Sequence, residues 1–425
     1  MIHSLKETVH GIIEPAHYRC VLIPRARRHH AQRIRRIRER GKAKVCFLVA
    51  SLPMWRFQGL YDLLAQDPRF ELMLALHPFD ALAPVAKQKA MAELRDYCSA
   101  HGIPCLDLLP EEHPGQALRE RFDPDIIFYP QPYNHLMGKD LDGVFFQDRM
   151  IAYIPYATLT AKDSWAYKTL INNVAWRLFF PSESRKQDAA AVLYNGGKNI
   201  RVVGESISDL FREPVREHVW KAQDAPKKRV IWAPHYSIMA GGLLHRDSFT
   251  WLSRFMWEIA QRYQDRIQFA FKPHPRLLTT LAATPGWSQA DAEAYFQQWA
   301  DGSNTQLVTG PYADLFKESD AMIHDSSSFT VEYHFTQKPV LFTSTDLTGV
   351  LSLLNDFGQE AVLAHYLGET EQSIVNFLED TVLGGHDPMK ATRQAFYEKY
   401  LRPPGSGSVA GNIYHEILQG LGFEE

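Results

Sequence analysis

Met322-Ile-His-Asp-Ser-Ser-Ser-Phe-Thr-Val-Glu-Tyr-His-Phe-Thr-Gln-Lys-Pro-Val-Leu-Phe342 is the stretch from which the fold is read. A short apolar run, Ala321 to Ile323, predicts a strand, and the polar turn His324-Asp325-Ser326-Ser327-Ser328 follows. A helix comes next, and a second strand begins at Pro339. Hydroxyls and free backbone N–H groups collected where a helix begins form a site for an anion such as phosphate. Glu332, one turn further on, is within reach of a hydroxylated part of such a ligand. The same residues also fit an ordinary serine N-cap with an acid in the first turn, as in a capping box. Both readings stand at this point.

The strand–turn–helix unit recurs on either side. Downstream of a polar interval, Arg212 to Lys228, the strand Arg229–Ala233 runs into Pro234-His235-Tyr236-Ser237 and a Gly241-Gly242 loop, with Ser248 as N-cap of a helix. The strand Arg266–Phe271 runs into Lys272-Pro273-His274-Pro275-Arg276. Upstream, Val45–Ala50, Phe70–Leu76, Asp125–Tyr129, Met150–Ile154 and Asn199–Val203 read as strands between helical stretches, and Ser164 to Phe180 reads as helical. Strands alternating with helices predict parallel βαβ units. The expected fold is therefore α/β, with two Rossmann-like domains facing a cleft: residues 43–212 and residues 213–425, the latter ending in helices near Glu371–Leu383, Met389–Tyr400 and from Ser408. Residues 1–42 read as a basic N-terminal extension.

Composition narrows the function. A chain of 425 residues, 45% hydrophobic and 22% charged, builds full cores. The four cysteines, Cys20, Cys46, Cys98 and Cys105, lack metal-ligand spacing, and no His pattern calls for a metal, so a reduced cytoplasmic setting with no metal and no cofactor is expected. No signal core and no membrane-length apolar run is read. The net charge of −3 hides a local excess: Arg25 through Lys44 carries Arg33, Arg35, Arg36, Arg38 and Arg40 among its basic residues, against the single acid Glu39. Such a run is either a solvated helix or a dock for an anionic membrane surface, where each basic residue adds about 1 kcal/mol. No nucleic-acid-binding motif or aromatic stacking pattern accompanies it, so no nucleic-acid partner is expected.

Three polar turns of the second half share one position, just beyond the carboxyl end of a parallel strand, where turns distant in sequence converge. Together they bring His235, Lys272, His274, Arg276, Asp325 and the serines Ser326, Ser327 and Ser328 to one edge. That inventory suits a diphosphate ligand: Lys272 and Arg276 neutralise charge on a departing phosphate, and a histidine moves protons near neutral pH.

Trp232-Ala-Pro-His-Tyr-Ser237, Phe269-Ala-Phe-Lys-Pro-His-Pro275, and Ser319-Asp-Ala-Met-Ile-His-Asp-Ser-Ser-Ser-Phe-Thr-Val-Glu332 with Lys338-Pro-Val-Leu341 resemble, in that order, the CDP-glycerol glycerophosphotransferase family, whose members build teichoic acids and capsular polymers. Ile154-Pro-Tyr156 and Val202 to Asp209 resemble its weaker first-half signatures. The resemblance implies a GT-B architecture and a metal-independent transfer of glycerol phosphate, or a related polyol phosphate, from a CDP-activated donor to a hydroxyl of a lipid-linked or saccharide acceptor, with release of CMP. It implies that Ser326, Ser327 and Ser328 hold the donor phosphates with Lys272 and Arg276. Asp325 and Glu332 would position the turn or the donor hydroxyls, and His274 would assist the leaving phosphate. It also implies peripheral attachment to the inner face of the cytoplasmic membrane, through the basic arm.

One departure matters. The family's polymerases carry a His-Gly motif in the first domain, which activates the acceptor, whereas Tyr153-Ile-Pro-Tyr-Ala-Thr158 contains no histidine. Either His235 takes that role, the base lies elsewhere, or the acceptor differs. A nucleotide-sugar glycosyltransferase on the same scaffold, and a non-catalytic membrane-associated nucleotide-binding protein, are the competing readings.

Overall fold

The computed structural model describes residues 14–133, 137–138, 140–155, 158–162, 167–238, 248–405 and 407–423. Residues 1–13 of the extension, Tyr156 and the Gly241-Gly242 loop lie outside the described residues. The chain divides into two compact units. Unit 1 comprises Met1–Tyr156, Asp163–Asp209 and Pro403–Glu425; unit 2 comprises Ala157–Lys162 and Leu210–Arg402.

Unit 1 is built on seven parallel strands: β1 (Ala43–Val49), β2 (Phe70–Leu76), β3 (Cys105–Asp107), β4 (Ile126–Tyr129), β5 (Met150–Tyr153), β6 (Arg177–Phe180) and β7 (Ile200–Val202). Their order is β3-β2-β1-β4-β5-β6-β7, so direction of growth reverses between β1 and β4. β1 lies at this reversal, with Val45 in register with both Leu72 and Ile126. A strand covered on both faces must be apolar throughout, which is why Val45 to Val49 forms an unbroken run. Phe47 stacks on Phe128 at 4.8 Å within the core.

Three readings of the sequence are corrected here. The span Ser164 to Phe180 is not one helix: within its described part a short helix, Leu170–Val174, gives way to β6, which pairs with β5 and β7. An apolar run such as Leu178-Phe-Phe180 fits a buried strand or a buried helix equally, and pairing decides between them.

The basic segment is not an appendage. The helix Ile23–Arg40 buries Ile23, Ala26, His30, Arg33 and Ile37 at helical spacing, with Ile37 fully inside the unit 1 core. Arg33 Nη1 lies 3.3 Å from Asp125 Oδ1, Arg40 bonds the same carboxylate, and Arg38 Nε donates to the Leu421 carbonyl at 2.6 Å. Arg33 is tolerated in the inner stripe because Asp125, itself buried, pairs with it. Of the five arginines expected at a membrane, only Arg35 and Arg36 are exposed with no side-chain partner among the described residues.

The chain from Pro403 onward returns to unit 1. The helix Val409–Leu421 buries Val409, Ile413, Ile417 and Leu421 in the first core. Asp209 accepts the backbone N–H groups of Val409 and Ala410, each at 2.8 Å, and Ser408 caps the helix through the N–H of Gly411. An amphipathic helix goes where its apolar stripe is covered, whatever its place in the sequence.

Unit 2 holds six parallel strands: β8 (Lys228–Ala233), β9 (Ile267–Phe271), β10 (Thr305–Leu307), β11 (Ala321–His324), β12 (Val340–Thr343) and β13 (Tyr366–Gly368). The order β10-β9-β8-β11-β12-β13 again reverses once, between β8 and β11. Trp232 packs at 5.0 Å on Phe271 and 5.3 Å on Trp299, a core of large rings beneath the central strand. Each unit is thus a doubly wound parallel sheet. In such sheets ligands bind beyond the carboxyl ends of the strands at the reversal.

Candidate functional site

The register of unit 2 brings the polar turns together. Ala233, the last residue of β8, pairs with His324, the last of β11, and Trp232 pairs with Phe271, the last of β9. The turns Pro234–Ser237, Lys272–Arg276 and Asp325–Ser328 therefore leave neighbouring strands at one level.

Asp325 ties two of these turns. It is buried, its Oδ1 accepts the backbone N–H of His235 at 2.6 Å, and its Oδ2 accepts the Ser248 hydroxyl. Ser248, read from sequence as a helix cap, spends its hydroxyl on this link. The β9 turn is held through the backbone: the N–H of Lys272 donates to the Trp232 carbonyl at 2.8 Å and that of His274 to the Pro234 carbonyl at 3.0 Å.

The rings then cluster. His235 lies 4.5 Å from Tyr236 and 5.0 Å from His274 by ring centroid, and Tyr236 lies 4.4 Å from His274. The exposed Arg276 guanidinium sits 4.4 Å from the Tyr236 ring. The Nδ1 of His274 accepts the backbone N–H of Arg276, and that of His235 accepts the N–H of Ser237. With Nδ1 engaged as an acceptor, each neutral imidazole carries its proton on Nε2. Burial, with Arg276 and Lys272 adding repulsion, lowers the His274 pKa to about 4, so the ring is neutral at pH 7.

Lys272 is the main charge of the site. Only 5% of it is exposed, and among the described residues no acceptor bonds its ammonium, which lies 5.8 Å from the Tyr312 ring. Burial lowers its pKa to about 8. A cation held out of water without a carboxylate is costly unless an anionic ligand arrives.

The serine turn departs from a simple cap. Ser328 precedes the short helix Phe329–Glu332, but its side chain makes no capping bond. Among the described residues the hydroxyls of Ser326, Ser327 and Ser328 are not engaged by the protein, while the Ser326 carbonyl accepts the Thr330 hydroxyl at 2.8 Å. Nor does Glu332 close a capping box: it is buried, and its carboxylate accepts the Tyr312 hydroxyl. Two participants, Tyr236 and Tyr312, escaped the sequence reading. Tyr236 adjoins His235, but Tyr312 lies in a loop before the helix Ala313–Glu318, with no motif around it.

No family model matches the chain, and no curated protein does. Solved structures do. The chain is similar to an S. aureus MnaA–UDP co-structure (16% identity, TM-score 0.56, covering 90% of this chain and 98% of that one). It is similar to UDP-GlcNAc 2-epimerase from Neisseria meningitidis bound to UDP-GlcNAc (15%, TM-score 0.56, 88% and 100%). The wall teichoic acid polymerase TagF aligns over 100% of this chain and 98% of its own, at 12% identity and TM-score 0.58. At such identities the likeness is one of fold: an α/β chain of two parallel-sheet, Rossmann-like units of the GT-B type.

Proposed function

We propose that this chain is a transferase that moves glycerol phosphate, or a related polyol phosphate, from a CDP-activated donor to a hydroxyl of a lipid-linked or saccharide acceptor in cell-surface polymer synthesis. The observation that carries the proposal is the convergence of buried Lys272, which among the described residues has no carboxylate partner, with His235, His274, Arg276 and three serine hydroxyls that no described residue engages, at the reversal point of one sheet. The ordered motifs around those residues add the CDP-polyol class, and the alignment with TagF along the whole chain is consistent with it.

In the proposed reaction the acceptor oxygen attacks the phosphorus that bears the polyol. A new P–O bond forms, the bridging P–O bond breaks, the acceptor hydroxyl gives up its proton to water, and CMP leaves with the bond's electron pair. Lys272 and Arg276 offset the charge gathering on the departing phosphate. His274 and His235, with protons on Nε2, serve as hydrogen-bond donors to phosphate oxygens. Ser326, Ser327 and Ser328 hold the diphosphate, Asp325 sets the turn, and Glu332 fixes Tyr312 beside Lys272. We further assign the exposed Arg35 and Arg36 to contact with the anionic inner face of the cytoplasmic membrane.

A second reading is favoured by the UDP and UDP-GlcNAc complexes among the similar folds: a nucleotide-sugar enzyme at the same turns. The two part on products. Purified protein supplied with CDP-glycerol and a panel of lipid and saccharide acceptors is expected to release CMP. Absence of CMP together with UDP release from UDP-GlcNAc would decide for the second reading.

A further inference from the structure

We propose that unit 1 carries a second binding site, for an anionic amphiphile, in a groove of 270 Å³ between the helix Ile23–Arg40 and the residues leading into β6 and β7. The groove is lined by Asn173–Arg177 and by Asn195, Lys198 and Asn199, immediately before strands that begin at Arg177 and Ile200. It therefore lies at the amino-terminal edge of the sheet, whereas ligands of a doubly wound fold bind at the carboxyl edge. It is a separate site, and it stands whether or not the reaction proposed above is correct.

Its lining states the chemistry of the occupant. Ile23, Ala26, Ile34, Val174 and Trp176 make an apolar wall. The charged lining residues are Arg27, Arg177 and Lys198, with no Asp or Glu among them. Arg177 is poorly compensated: its Nε is buried without a hydrogen-bond partner, the nearest carboxylate, Glu416, is 4.0 Å away, and that carboxylate lies 3.0 Å from Arg201. Burial and the neighbouring Arg201 lower the Arg177 pKa to about 10, with Glu416 opposing them only in part. His30 also lines the groove, is 9% exposed, and has no hydrogen bond among the described residues. Burial, His29, Arg177 and Arg27 push its pKa down to about 3, so it adds an uncharged donor.

A free phosphate would use the cations and waste the apolar wall; an uncharged hydrocarbon would do the reverse. The volume is close to the lower end of small-molecule sites, about 300–1,000 Å³. A smaller recess of 110 Å³, lined by Leu22, Val144 and Leu170, shares Ala26 and Val174 with the groove. Val144, which lines it, is 50% exposed, which extends the apolar track past the groove itself. A chain that outruns the groove, ending in a phosphate held by Arg27, Arg177 and Lys198, satisfies both halves of the lining.

The test is calorimetric titration of the full chain with monomeric dodecyl phosphate. One site is expected, weakened about tenfold or more by the double substitution Arg27→Glu and Lys198→Glu, and likewise by Ala31→Trp, which fills the groove from its exposed side. Uncharged dodecyl maltoside is expected to bind about tenfold more weakly or worse, and inorganic phosphate is expected not to compete. Unchanged affinity in both variants, at unchanged melting temperature, would place the amphiphile elsewhere and overturn the proposal. Equal competition by inorganic phosphate would make the groove a plain anion site, and equal binding of the maltoside a plain apolar one. Binding to phosphatidylglycerol vesicles without binding to dodecyl phosphate would assign the surface to a bilayer. Each of these last three results also overturns it.

Discussion

The backbone N–H of Arg276 donates to Nδ1 of His274 at 3.1 Å. The same local bond, from the residue two positions on, recurs at His235 with Ser237 and at His324 with Ser326. Three strands of one sheet thus end near a histidine whose Nδ1 is occupied and whose neutral form carries its proton on Nε2. In this state the histidines of the candidate site are donors, which suits stabilisation of a phosphate better than abstraction of an acceptor proton.

Replacing His274 with Ala is therefore expected to lower CMP release about 100- to 1,000-fold, the usual cost of losing one donor to a developing oxyanion. CDP binding, measured separately, is expected to change little. Because the His274 pKa is about 4, the rate is expected to show no acid limb from this ring near pH 6.5. Proton NMR of the imidazole, showing titration near pH 6.5, would refute that assignment.

Lys272 leads to a pH effect of the opposite sense. Its ammonium is present below about pH 8, and an anionic ligand stabilises that form. Affinity for CDP is expected to be flat between about pH 7 and 8, above the second ionisation of its terminal phosphate, and to weaken above that by up to about tenfold per unit, since each pKa unit is worth about 1.4 kcal/mol. Lys272→Arg keeps its charge and is expected to abolish the pH dependence. A dependence that persists in that variant would point to another group.

Asp325 is expected to matter for stability before chemistry. Asp325→Ala strands the buried N–H of His235 and the Ser248 hydroxyl, each at about 1–3 kcal/mol. A lower urea midpoint at unchanged m-value is the expected signature. An unchanged midpoint would mean that the turns hold without this brace.

The basic helix separates into two roles. Arg33→Ala removes a partner of buried Asp125 and is expected to cost about 1–3 kcal/mol of stability. Arg35→Glu with Arg36→Glu is expected to leave the melting temperature alone and to reduce co-sedimentation with anionic vesicles. Vesicle binding unaffected by the double change would exclude these two arginines as the contact.

Acid lability is expected from a part of unit 2 behind the site. His334 is fully buried, with its pKa lowered to about 3 by burial, and His365 is pushed well below 6.5 by burial, His334 and His324. Arg393, buried and paired with Asp387, faces both rings and adds to the repulsion. In the unfolded chain these rings take up protons near pH 6.5, and in the native protein they do not. Their contribution is therefore complete above pH 6.5 and declines as pH falls, by about 1.4 kcal/mol per unit for each ring. Urea titrations between pH 7.5 and pH 5 would show this, and His365→Gln is expected to flatten the slope.

Most strands were legible from the sequence, the edge strand β7 among them, whereas interior β6 reads there as helix and the edge strands β3 and β13 escape it. Phe70–Leu76 was read with its observed ends, and β8, β9 and β11 to within a residue or two, because strands covered on both faces are mostly apolar, with few polar interruptions such as Glu71 and Gln268. β3 and β13 are three-residue edge strands with partly exposed side chains, so composition carries no trace of them. The turns that form the candidate site were legible because proline, histidine and serine interrupt those runs abruptly. Tyr312 was not, since its place beside Lys272 is set by packing alone. The burial of Arg33 was hidden for a related reason: its partner, Asp125, is 92 residues away.

The return of the chain to unit 1 at Pro403 sets an order of assembly. During synthesis, domains fold as their residues emerge. Unit 2 has all of its residues by Arg402, but the first core waits for Val409, Ile413, Ile417 and Leu421. The part translated first is thus the last to close. Until that final helix emerges, the nascent chain carries an open apolar face, and it is in this interval that a chaperone has something to hold.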